Sequence, residues 1–144
     1  MENLPFNELA VRKQFDFGPV VLSEEEMVEF ALRNDPQPIH TDKSFAEQSP
    51  FGGLIASGFH VFVAVHKTFW VPLVRSTFLC GLSIDHWRFY RPVYAGMKLL
   101  ASAEIVEIQP DPEKGRAVVS WRYNFTTESR EPVQTVDFTV LHRM

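Results

Sequence analysis

A chain of 144 residues, 45% hydrophobic and 13% aromatic, is long enough to bury one sizeable core and too short to suggest two, so residues 1–144 read as a single domain. Its one cysteine, Cys80, excludes an internal disulfide framework and any zinc-finger spacing, which makes the reducing cytoplasm the expected compartment. The formal net charge of -4, with no Lys/Arg cluster longer than a pair, excludes a footprint for a nucleic-acid backbone but leaves room for a small anionic ligand.

Glu2, Glu8, Arg12, Lys13 and Asp16 interrupt the first thirty residues, so no signal-peptide core is expected there. A short amino-terminal segment ends in Phe15-Asp16-Phe17. Ser23 and Glu26 then form an S-x-x-E capping box, with Leu22 placed to staple onto Met27. The helix that starts there turns Met27, Phe30 and Ala31 to the core, and Pro36 and Pro38 forbid its continuation. The stretch from Asn34 to His40 is therefore expected as loop, with Thr41 capping a short helical turn through Phe45 and Ala46.

Pro50, Gly52 and Gly53 make a second loop, after which residues 55 to 70 are apolar on nearly every face, the pattern of a helix enclosed by protein and closed by Pro72. The longest weakly charged run there, Gly53 to Val65, falls well short of the roughly 20 residues of a membrane span. From about Phe78 onward the period is two: Ala117, Val119, Trp121, Tyr123 and Phe125 share one strand face, and runs at Leu99–Ile108 and Val133–Leu141 flank it as hairpins of a meander. Helices followed by at least four antiparallel strands define an α+β layer fold, with the apolar helix packed on one face of the sheet.

Asp35, Gln37, Pro38 and His40 share one proline-stiffened loop, which holds an acid and an imidazole with little freedom left to lose on binding. By itself such a pair is more often a capping or surface feature than a catalytic one. Gly58 lies near the start of the apolar helix, where unpaired N–H groups and the positive dipole end can receive an oxyanion; its bland reading is a plain helix-start residue. His60 and His66, six residues apart, do not present two ligands on one helix face, so no metal is expected and each reads as a buried or tunnel-lining side chain. Trp121, Tyr123 and Phe125 read as sheet core rather than a base-stacking platform, and His86, Arg88 and Arg91 as solvated or paired across strands.

Three segments carry a resemblance. Phe30-Ala31-Leu32-Arg33-Asn34-Asp35-Pro36-Gln37-Pro38-Ile39-His40-Thr41-Asp42 resembles the D-x-N-P-x-H signature of the MaoC-like dehydratases and (R)-specific enoyl-CoA hydratases. Pro50 to Phe59 is similar to that family's loop into its central helix, and Arg88 to Met97 to its F-x-x-P-V-x-x-G strand junction. Two departures are the longer Gln37 where the family has asparagine, and Pro36 directly after the acid.

The resemblance implies a hotdog fold, a homodimer or higher homo-oligomer with sheets joined edge to edge, and no metal or organic cofactor. The implied reaction is reversible hydration of a trans-2-enoyl thioester of coenzyme A or acyl carrier protein to the (R)-3-hydroxyacyl product. It implies Asp35 and His40 as the dyad holding the reacting water, the Gly58 N–H as the donor to the thioester carbonyl, and Gln37 at the substrate. The chemistry matches these residue types: conjugate addition needs a base for water, a proton donor for C2 and a donor to the enolate oxygen. Two alternatives stand beside it: a hotdog thioesterase, disfavoured because no carboxylate lies between Ile55 and Trp70, and a non-catalytic acyl-thioester-binding or assembly subunit.

Overall fold

Residues 3–144 are described by a computed structural model. Strand β1, Gln14–Val21, is followed by helices α1 (Glu24–Asn34), α2 (Pro38–Thr41), α3 (Lys43–Glu47) and α4 (Gly58–Val65). A π-helical turn, His66–Trp70, leads into α5 (Val71–Val74). Four long strands complete the chain: β2 (Phe78–Phe89), β3 (Lys98–Asp111), β4 (Arg116–Thr127) and β5 (Pro132–Arg143). All pairings are antiparallel, in the order β1-β3-β4-β5-β2.

The meander β3-β4-β5 forms as the alternation requires, with Ala117, Val119, Trp121, Tyr123 and Phe125 of β4 all buried. Strand β2 does not join β3, its successor, but pairs with β5, so the junction 90–97 carries the chain across the sheet. Strand β1, which the periodicity does not reveal, closes the other edge. Its pattern is broken by Gly18, at φ 72°, and Pro19, where the pairing with β3 shifts register.

The capping box is formed: Ser23 Oγ accepts from the Glu26 N–H at 3.1 Å, while the Ser23 N–H donates to the Glu26 carboxylate at 2.8 Å. Two local expectations are corrected. The stretch Asn34 to His40 is not all loop, because Pro38 opens the single turn α2 with its fixed φ suited to the first helical position. The cap of α3 is Asp42, whose side chain accepts from the Phe45 N–H at 3.0 Å, and not Thr41.

The central helix also differs. It starts at Gly58 and runs without a break to Val74, past Pro72. The Val71 N–H reaches back to the His66 carbonyl, and this widened turn gives the next residue's ring the room that an α turn denies it. Val61, Val65 and Trp70 are buried against the sheet, but Phe59 is 47% and Val63 38% exposed, so a single chain does not enclose the helix on every side.

Between helix and sheet lies an aromatic column. Phe62 sits 5.2 Å from Tyr123, 5.3 Å from Trp87 and 5.1 Å from His66, and His66 stacks in turn on Trp70 at 4.7 Å. Trp70 meets Trp121 edge-on at 5.8 Å. At the end of the column the buried His142 accepts from Trp121 Nε1 at 3.3 Å and lies 2.9 Å from Thr77 Oγ1. Among the described residues no helix is long and apolar enough to cross a membrane.

Candidate active site

Asp35 is the residue at which α1 stops. Its N–H still closes the last helical bond to the Ala31 carbonyl at 2.8 Å, but its own backbone, at φ -157° and ψ 70°, has left the helix, as a residue before proline must. A tight turn follows, with the Gln37 N–H donating to the Asp35 carbonyl at 2.8 Å and the His40 N–H to the Gln37 carbonyl at 2.9 Å. Five residues of chain thereby fold back and bring His40 Nε2 to 3.5 Å from Asp35 Oδ2.

Both side chains are held from behind. The segment 54–56 is stitched on one side to the Ile39 carbonyl through the Ile55 N–H, at 3.3 Å, and on the other to the Val93 carbonyl through the Ala56 N–H, at 2.8 Å. The Ile55 carbonyl accepts from His40 Nδ1 at 2.7 Å. That bond places a ring proton on Nδ1 and turns Nε2 toward Asp35. Ser57 Oγ, fully buried, donates to Asp35 Oδ2 at 2.7 Å. With side-chain exposures of 20% for Asp35 and 11% for His40, the pair is largely withdrawn from water.

The pair opens onto a cavity of about 430 Å³, lined also by Phe51, Ile55, Ala56, Gly58, Phe59, Val61, Phe89 to Val93 and Gln134. Gly58 is the first residue of α4, and its N–H has no acceptor among the described residues. A Cβ built on Gly58 would come within 2.0 Å of the Phe89 ring, so glycine is what lets that ring lie across the helix start. The arrangement offers an imidazole nitrogen, a carboxylate oxygen and a free backbone donor around one apolar space.

Of the four expected site residues, the structure brings Asp35, His40 and Gly58 together and leaves out Gln37. The Gln37 side chain is exposed and does not line the cavity; its carbonyl instead takes the His40 N–H and the Thr41 hydroxyl, shaping the turn that delivers His40. Ser57 and Gln134 are the residues that reading the sequence misses. Ser57 falls inside the stretch read as apolar helix, and only the fold sets it 22 positions along the chain but 2.7 Å in space from Asp35. Gln134 had a signal, since it is the one amide on the inward face of β5 that carries Val136 and Val140. Arg91 likewise lines the cavity while pairing with Glu131 at 3.4 Å.

The helix histidines lie elsewhere. His60 stacks on Phe30 at 4.4 Å on the opposite flank of α4, where burial holds it below the usual imidazole range. His66 meets the Tyr123 hydroxyl at 3.0 Å inside the aromatic column, and burial pushes it down to about 4. Among the described residues no three His, Cys, Asp or Glu side chains converge as a metal site would need.

A long strand-wrapped helix with this loop in front of it is the architecture of a hotdog protein, and the comparisons agree. The MaoC like domain family model matches residues 7–127, and the chain belongs to that family. Among solved structures, it is similar to the monoamine oxidase regulatory protein from Archaeoglobus fulgius, at 28% identity and a TM-score of 0.84, covering 99% of this chain and 96% of that one. It is equally similar to the MaoC-like dehydratase from Rhodospirillum rubrum, at 28% identity and a TM-score of 0.83 over 98% and 97% of the two chains. The R-hydratase PhaJ1 from Pseudomonas aeruginosa shares the fold, with a TM-score of 0.74 at 24% identity, over 98% of this chain and 86% of that one.

Proposed function

We propose that this chain is an acyl-thioester hydratase/dehydratase that adds water reversibly to a trans-2-enoyl-CoA, or the matching acyl carrier protein thioester, giving the (R)-3-hydroxyacyl product. The observation that carries this reading is the Asp35–His40 pair, 3.5 Å apart on a cavity wall, with His40 Nδ1 engaged and Nε2 free. Both groups face the same cavity, where one water can reach His40 Nε2 and Asp35 Oδ2 together. His40 Nε2 takes one proton from the water as its oxygen bonds to C3; the pair then returns a proton to C2 on the same face, so the sum is addition of H and OH. The enolate oxygen formed on the thioester takes the Gly58 N–H.

The apolar edge strand β2 supports association. Its side chains Phe78, Leu79, Leu82, Ile84 and Phe89 are exposed and its outer backbone edge is unpaired among the described residues, so we propose a homodimer joined along β2. The test of the reaction is loss of the conjugated thioester absorbance of crotonyl-CoA, with Asp35→Asn and His40→Ala alongside. Each substitution is expected to lower kcat by about 10²–10⁴. Free thiol released without hydration would replace the reading with a thioesterase, and binding without turnover would replace it with a carrier or assembly subunit.

A further inference from the structure

Gln134 is 1% exposed, yet it lines the same cavity as Asp35 and His40. Its Nε2 is buried and finds no acceptor among the described residues. The neighbours it has across the ladder are Phe89 of β2 and Phe125 of β4, neither of which offers a polar side chain. A buried amide nitrogen without an acceptor is costly to keep, and an apolar residue of the same length would fill this inward position of β5 without that cost.

Resting on the reading of this cavity as an acyl-thioester site, we infer that it takes an acyl group bearing an acceptor oxygen beyond C3, which receives a hydrogen bond from the Gln134 carboxamide. A purely aliphatic chain offers the amide no acceptor. An acyl group with a carbonyl, carboxylate or hydroxyl oxygen supplies the missing partner, so the site discriminates by the presence of that oxygen more than by length.

The test compares equilibrium binding of two saturated, unreactive thioesters of matched size, hexanoyl-CoA and 5-oxohexanoyl-CoA, by calorimetry on the wild-type protein and on Gln134→Met. Methionine keeps the unbranched shape and removes the donor. The wild type is expected to bind the oxo compound at least tenfold more tightly, and the variant to lose or reverse that preference. General damage to the fold weakens both ligands together and does not invert their order. Equal or tighter binding of hexanoyl-CoA by the wild type, a preference that survives in the variant, or binding of neither thioester would overturn the inference. Turnover of crotonyl-CoA, followed in parallel, reports on the reaction separately: a polar preference without turnover sinks the hydratase reading alone, and turnover without the preference sinks the role of Gln134 alone.

Discussion

Acid is expected to destabilise this fold through two histidines that the chemistry does not use. His142 is fully buried and has both ring nitrogens committed: Nε2 accepts from Trp121 Nε1, so Nδ1–H donates to Thr77 Oγ1, whose own proton goes to the Val74 carbonyl at 3.2 Å. A second ring proton would point at the indole N–H. Burial pushes His142 down to about 4, and His66 likewise to about 4. The unfolded chain therefore binds protons first as the pH falls, and stability is full above about 6.5 and drains away between there and the folded values. With 6.5 for the unfolded group and about 4 for the folded one, each histidine costs about 2 kcal/mol at pH 5 and about 3 kcal/mol at pH 4.

The measurement is urea unfolding at fixed protein concentration, at pH 7.5 and pH 5, for the wild type and His142→Gln. The variant is expected to be less stable at pH 7.5, having lost part of the Trp121–His142–Thr77 chain, but to lose about 2 kcal/mol less than the wild type on acidification. Parallel losses in the two proteins would refute the argument, because they would mean that His142 takes up no more protons unfolded than folded.

Three further outcomes follow from the site and the edge strand. Ser57→Ala removes a 2.7 Å hydrogen bond to a carboxylate; at about 1.5–3 kcal/mol that is expected to lower kcat roughly 10- to 150-fold, and crotonyl-CoA turnover within threefold of wild type would contradict it. Gly58→Ala sets a methyl where the Phe89 ring lies; it is expected to raise KM, and Phe89→Ala added to it should recover part of the loss if the clash is the cause. Leu82→Lys combined with Ile84→Lys puts two cations on the exposed face of β2, and light scattering should then report a monomer where the wild type reports a dimer.

Much of this was legible because periodicity and turn chemistry point the same way where packing is regular. The β4 alternation from Ala117 to Phe125 predicts its buried face residue by residue, and the Ser23/Glu26 box predicts the start of α1. Legibility ended where local chemistry is overruled from a distance. Gly18 and Pro19 interrupt the alternation of β1, yet β3 supplies it with partners on either side of the bulge they form. Pro72 reads as a stop, but the π-helical turn before it relieves the clash that would make it one. The site divides the same way: Asp35 and His40 are neighbours along the chain, whereas Ser57 and Gln134 come to the cavity only through the packing of α4 and β5.

Ser57 shows why the site is more than a loop dyad. At the start of α4 a serine would ordinarily turn its oxygen inward to accept from the first-turn N–H groups, which stabilises a helix by about 1 kcal/mol. Here it makes no such bond and spends its hydroxyl as a donor to Asp35. That one rotation fixes the carboxylate against His40 rather than leaving it free to swing toward solvent. The helix gives up a cap, and the cleft gains an oriented acid. Under the proposed reaction the short motif therefore does not work alone: the loop from Asp35 to His40 would supply the reacting groups, and Ser57, just before the central helix, aims one of them.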